Sequence, residues 1–354
     1  MLRGNYRKHL LTVAIVVTSL LLQGCGSGTD QAATVPTESS APVKPHRYNP
    51  ALSPAFAEPW PTKVTRKEMI DTALYKSFEY LDTLPEAPCQ LEVNMHLQES
   101  MGPDQSELIE TTSRNMIELF CDYMSEDVHI IGGNYDFVKE TVAKEDLWSD
   151  KFGGICGYDV KYDAGTACAA YNVAWIGQQV GTVRRGEFVP EPTRVTYVTH
   201  EIFHVVHDDI DPGPGPNIPG PGSPLFRPVW LVEGAGQYFG SIIPKYFGMQ
   251  DYQTYLPYDR SGLFLEVSYL SDLRAMETVQ RRGSGSENYY TGLVAHEYIA
   301  ASIGLEPLLK IWVRMDKGDS FEQAFEKVTD LSVEEFYKKF AKMHDNLYEG
   351  ELVE

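Results

Sequence analysis

The chain has 354 residues, of which 43% are hydrophobic and 12% aromatic, enough apolar and aromatic surface to exclude disorder throughout. Fifty acidic residues against 30 basic ones give a formal charge of −20, which excludes the basic footprint that nucleic-acid binding requires. That leaves a folded, acidic chain of one large domain or two modest ones.

Arg3, Arg7 and Lys8 precede an uncharged run from Leu10 to Leu22, which is followed by Gln23-Gly24-Cys25. A basic start, a short apolar stretch and a small residue predict a signal peptide over 1–24. The apolar run falls short of the roughly 17–25 residues that a membrane-spanning helix needs. The last positions resemble a bacterial lipobox. That resemblance implies lipidation of Cys25 and an exported chain anchored to a bacterial membrane, the outer membrane or cell surface being favoured because Gly26 is not Asp. The alternative is an ordinary secretory cut elsewhere. Residues 25–60 are rich in Ser, Thr, Ala and Pro without apolar periodicity, as a flexible tether would be. Cys89, Cys121, Cys156 and Cys168 then suggest two disulfides, with three possible connectivities. Proximity along the chain favours Cys89–Cys121 and Cys156–Cys168.

Thr65-x-x-Glu68 predicts a capping box opening a helix to about Leu84, and Asp104 to Met124 predicts a second. Val128–Ile131 before Gly132-Gly133 is strand-like, Asp136–Ala143 suits a short helix, and Ala170–Ile176 suits another strand. Pro192–Asp208 is helical, whereas 211–228 is too rich in Pro and Gly for regular structure. Helices are expected from Pro228 to Ile243, Tyr289 to Ile303 and Pro307 to Lys317. Ser320-x-x-Gln323 and Ser332-x-x-Glu335 open two more. The expected fold class is α+β, with a mixed α/β N-terminal lobe over 61–208 and a mainly helical C-terminal lobe over 209–354.

His200-Glu201-Ile202-Phe203-His204 is an H-E-x-x-H motif. At about 100° per residue the two imidazoles leave one helix face, one turn apart. Val195, Val198, Ile202 and Val205 fall on the opposite side. Two such histidines can take two corners of a zinc tetrahedron, with the intervening carboxylate in reach of a coordinated water. The bland alternative is two histidines on a solvated face. A metzincin would need Gly at 207 and His at 210, where this chain has His207 and Ile210.

Trp230-x-x-Glu233-Gly234, followed by Tyr238, instead resembles the W-x-x-E-G-x-x-x-Y signature of the gluzincin zinc peptidases. The resemblance implies a zincin-like two-lobed metallopeptidase in which His200, His204 and Glu233 hold one catalytic Zn2+ and Glu201 is the general base. Tyr289-Tyr290-Thr291-Gly292 resembles that group's Tyr-x-x-Gly, which implies oxyanion stabilisation by Tyr289, with Tyr290 as the other candidate. Gln237 stands where some gluzincins carry an Asp that bonds the first histidine, so the supporting partner is open.

Gly234, Gly236 and Gly240 each cost a helix about 1 kcal/mol relative to Ala, a cost that close approach of the metal helix would explain. His207 shares the ligand face without being an expected ligand. His296-Glu297 reads as a surface pair, and the strand Ala170–Ile176 as a possible edge for pairing with substrate backbone. The functional expectation is a zinc-dependent peptidase, an endopeptidase for preference, acting on a peptide or protein substrate at the cell surface. An aminopeptidase, or a non-catalytic surface-binding lipoprotein on the same scaffold, is the alternative.

Overall fold

The computed structural model describes residues 56, 58–84, 88–147, 167–177, 183–184, 187–188, 191–211, 223–252, 271–278 and 286–351. The expected signal segment, Cys25, nearly all of the tether, Cys156 and residues 212–222 of the Pro/Gly stretch lie outside them. Among the described residues no helix is long and apolar enough to cross a membrane.

The fold is α+β. Strands β1 (Val93–Leu97), β2 (Val128–Gly133), β3 (Ala167–Ala170) and β4 (Val173–Gly177) form a sheet in the order β1-β2-β4-β3. β1, β2 and β4 run parallel, while β3 pairs antiparallel with β4. A two-residue antiparallel pair, β5 (Val183–Arg184) with β6 (Glu187–Phe188), stands apart from this sheet. Alternation along β2 splits its side chains between two cores. Val128 and Ile130 enter the main core, whereas Ile131 joins Val173 and Trp175 of β4 in a small one. Helix α3 (Tyr135–Lys144) covers that smaller core with Val138 and Val142. Helices α2 (Pro103–Phe120) and α4 (Glu191–Ile210) cover the other face.

The expected strand Ala170–Ile176 is corrected to a hairpin, with Tyr171 and Asn172 turning between β3 and β4. The edge belongs to β3, because β4 is hydrogen-bonded on both sides. β1 was not foreseen at all. Its apolar side carries Val93, Met95 and Leu97, but its other side carries Asn94 and His96.

The helical half comprises α5 (Val229–Tyr246), α6 (Ser286–Ile303), α7 (Leu305–Asp316), α8 (Phe321–Thr329) and α9 (Val333–Glu351). The Ser320–Gln323 capping box is formed, and Ser332 and Glu335 exchange hydrogen bonds as expected. One continuous core joins the two halves. Phe203 of α4 stacks at 3.8 Å on Phe239 of α5 and meets Phe120 of α2 edge-on at 6.0 Å.

Helix α1 (Arg66–Leu81) opens with the expected Thr65–Glu68 box and packs on α6 and α7. Ser77 Oγ lies 2.8 Å from the Tyr238 hydroxyl, and Lys76 Nζ donates to the carbonyls of Ala301 and Ser302 at 2.7 and 2.9 Å. Trp60 sits edge-on to Tyr298 and Phe336, both at 5.5 Å. The expected Cys89–Cys121 disulfide is present, with Cα atoms 5.6 Å apart, and ties the chain ahead of β1 to the end of α2. Cys168 is also disulfide-bonded.

Candidate metal centre

Helix α4 buries Val195, Val198, Ile202 and Val205 completely or nearly so, which fixes its rotation and turns His200 and His204 towards α5. Helix α5 is capped by Pro228, whose fixed φ of −59° suits a helix entry. Its first free N–H groups are not left to solvent, since Val229 and Trp230 donate to the carbonyls of Glu277 and Met276, both at 3.1 Å. Trp230, fully buried, donates from its indole to Tyr337 of α9 at 3.0 Å, and Tyr337 donates to Glu277 at 2.8 Å. These contacts set the depth and rotation at which α5 delivers Glu233, one turn further on.

The result brings three of the expected residues to one point. His204 Nε2 lies 3.0 Å from His200 Nε2, and Glu233 Oε2 lies 3.4 Å from the His200 nitrogen and 3.6 Å from that of His204. A tetrahedral zinc ion with ligands at about 2.0–2.1 Å spaces them about 3.3 Å apart, so this triangle has the dimensions of three zinc ligands. The donor set of two imidazoles and one carboxylate is also that of a catalytic site that keeps a fourth position open. The cluster could therefore hold a metal ion.

Electrostatics agrees with tight coupling of the three groups. Burial alone would pull the His204 pKa down, but hydrogen bonding to Glu233 and the charges of Glu233, Glu201 and Asp208 raise it to about 9. Burial pushes the other way on Glu233, yet His200 and His204 hold its carboxyl well below the usual range. A cation entering here must displace the proton of His204, so its affinity rises with pH.

The supporting residues are the close-packed glycines of α5. A Cβ on Gly236 would stand 2.6–2.9 Å from three atoms of the His200 ring. Gly240 would meet the Thr196 carbonyl at 2.9 Å and the His200 nitrogen at 3.3 Å. Both bear out close approach of α4. Gly234 is a correction: its Cβ would strike Gly292 of α6 at 2.5 Å, so that glycine serves the other neighbour.

Gln237 is buried, but neither its Oε1 nor His200 Nδ1 has a hydrogen-bond partner among the described residues. The structure thus does not use Gln237 to orient His200. Glu201 lies between the ligands in sequence, is part-exposed, and contributes its charge to His204.

Tyr289 is brought to the site, its ring 5.6 Å from that of His200 and tilted by 31°. Tyr290 turns into the main core and is 5% exposed. His207 is buried beside His204, their rings edge-on at 5.9 Å, but it is not one of the three converging groups. Its ring lies 4.3 Å from Trp312, with Nδ1 3.2 Å from Asp208, and burial with the neighbouring His204 lowers its pKa to about 3. Asp208 in turn accepts from the Tyr171 backbone at 2.9 Å, linking α4 to the β3–β4 turn.

His296-Glu297 is corrected from a surface pair to a buried one, both residues being fully enclosed. Arg66 holds Glu297 through two hydrogen bonds and Tyr252 adds a third at 2.5 Å. No family profile, no curated protein and no solved structure matches the chain.

Proposed function

We propose that this chain is a zinc-dependent peptidase of the gluzincin type, with a zincin-like two-lobed catalytic body. The carrying observation is the convergence, with zinc-ligand spacing, of Glu233 Oε2 from α5 on His200 Nε2 and His204 Nε2 of α4, the helix that also bears Glu201. When bound, the ion would supply Lewis acidity towards the scissile carbonyl and acidify a coordinated water.

Glu201 would take a proton from the attacking water as its oxygen bonds to the carbonyl carbon, then pass that proton to the amine as the C–N bond breaks. The Tyr289 phenol would donate to the oxyanion that develops at the carbonyl oxygen. Endopeptidase action on peptides or proteins remains the preferred form. Cys25 lipidation, with residues 25–60 as tether, would hold the enzyme at the outer membrane or cell surface.

The test is Glu201→Gln in the full chain, measured for zinc content and for cleavage of a denatured protein. Loss of cleavage with zinc retained supports the assignment, and cleavage at the wild-type rate sinks it. Blocked against free-amine peptides separate endopeptidase from aminopeptidase action.

A further inference from the structure

We propose that His96 and His129 form a second metal-binding site, for a first-row transition cation of the imidazole-binding class, on the sheet face opposite α4. It is independent of the peptidase reading. Val93, Met95 and Leu97 of β1 and Val128 and Ile130 of β2 point into or against the main core. Alternation therefore sends His96 and His129 to the α3 face. The parallel register pairs Asn94 with His129 and His96 with Ile131, so the two imidazoles are diagonal neighbours across β1 and β2.

His96 Nε2 and His129 Nδ1 lie 3.4 Å apart. The ring planes differ by only 8° with centroids 5.6 Å apart, so the rings meet edge to edge with these nitrogens facing. One ring N–H donates to the other nitrogen across that gap, the direction set by the tautomers. The gap also matches the edge of about 3.3 Å in a tetrahedral site with nitrogen ligands. Both residues are half-buried, which limits the rotamer freedom lost on binding.

The charges around the pair favour a cation. Glu145, just past the end of α3, and Asp127, just before β2, are the carboxylates whose fields reach His129, and Glu145 also responds to His96. Glu145 currently accepts from Lys144 at 2.8 Å, but that lysine is 80% exposed and readily displaced. Two imidazole nitrogens, with water completing the coordination, suit Cu2+, Ni2+ or Zn2+ rather than Mg2+ or Ca2+.

The experiment measures Zn2+ bound per chain at saturation by equilibrium dialysis and elemental analysis. Wild type is compared with His96→Gln/His129→Gln and with His200→Ala/His204→Ala. Each double variant should bind one ion fewer than wild type, and only their combination should lose both. Equal stoichiometry in wild type and His96→Gln/His129→Gln would overturn the proposal.

A second readout covers failure of that variant to fold. Zn2+ titration of wild type, followed by ring 15N chemical shifts, should perturb His96 Nε2 and His129 Nδ1 together. Unperturbed nitrogens at saturation would equally refute the site.

Discussion

Gly236→Ala isolates the metal centre from the fold. The new methyl would stand 2.6, 2.7 and 2.9 Å from Cε1, Nδ1 and Nε2 of His200. Comfortable contact needs about 3.5–4.0 Å, so the ring must retreat by about 1 Å. Metal ligands tolerate displacements of about 0.2 Å, which puts His200 far outside the triangle it makes with His204 and Glu233.

The expected loss in zinc affinity exceeds the roughly 10–100-fold that disturbing a mere supporting residue costs. Stability should change much less. Overpacking costs about 1–3 kcal/mol, while Gly→Ala inside a helix returns about 1 kcal/mol. Chelator-competition titration of the folded protein, alongside urea unfolding in excess chelator, reads the two effects separately. Gly240→Ala provides the contrast, because its methyl meets the backbone of α4 at Thr196 and should weaken folding more than G236A does. Wild-type zinc affinity in G236A would refute the placement of His200 as a ligand packed on α5.

Three further outcomes follow from single contacts. Tyr289→Phe keeps the ring beside His200 but removes the phenol proton, so kcat for peptide cleavage should fall about 100-fold with zinc content unchanged. Arg66→Met strands the enclosed Glu297 carboxylate and should cost about 3–5 kcal/mol in urea unfolding, much of it recovered by adding Glu297→Gln. The third concerns acid. Burial lowers the His296 pKa from 6.5 to about 4, so the folded chain holds a neutral ring that the unfolded chain protonates. The associated stability is fully present above pH 6.5 and shrinks as pH falls towards 4, by roughly 3 kcal/mol. His296→Gln should flatten that part of the pH–stability curve, and an unchanged slope would show that the ring is not held neutral.

Local signals in the sequence carried most of the helices. The Thr65 and Ser320 boxes, the Ser332–Glu335 pair and Gly304 and Gly318 at helix ends are short-range devices, and each appears where its residues put it. The β3–β4 turn is different in kind. Tyr171 takes a φ of +56°, which a tyrosine seldom adopts, and its N–H is held by Asp208 from α4. No Asn-Gly or Gly announced the turn, because a contact 37 residues away supports it.

Distance along the chain also hid the burial of His296 and Glu297. The neutralising partner of Glu297, Arg66, lies 231 residues away and opens α1, which no local motif ties to Glu297. His200 and His204 were legible because residue type and helical period are both local, whereas Glu233 was expected only from the resemblance of Trp230-x-x-Glu233-Gly234 to a known signature. The packing of Tyr289 against His200, and of Tyr290 into the core, depends on how α6 sits beside α4, which period alone does not fix.

The glycines of α5 show how far a helical wheel could have gone. Gly236 and Gly240 are about 40° apart around the axis, whereas Gly234 is about 200° from Gly236. Three glycines serving one neighbour should share a face, and these do not. Two faces stripped of side chains imply a helix pressed between two others, with α4 against Gly236 and Gly240 and α6 against Gly234. Gly292 repeats the device from the α6 side, where a Cβ would stand 2.4 Å from the Trp230 carbonyl.

Glu233 projects about 60° from Gly236 and about 100° from Gly234, between the two contacts. The backbone at that position cannot shift without separating one helix pair. The same clamp that costs α5 its helix propensity therefore fixes the Cα of Glu233 relative to α4 on one side and α6 on the other. On this reasoning Tyr289 belongs with the centre, even though it coordinates nothing, because the Gly234–Gly292 contact draws its helix in.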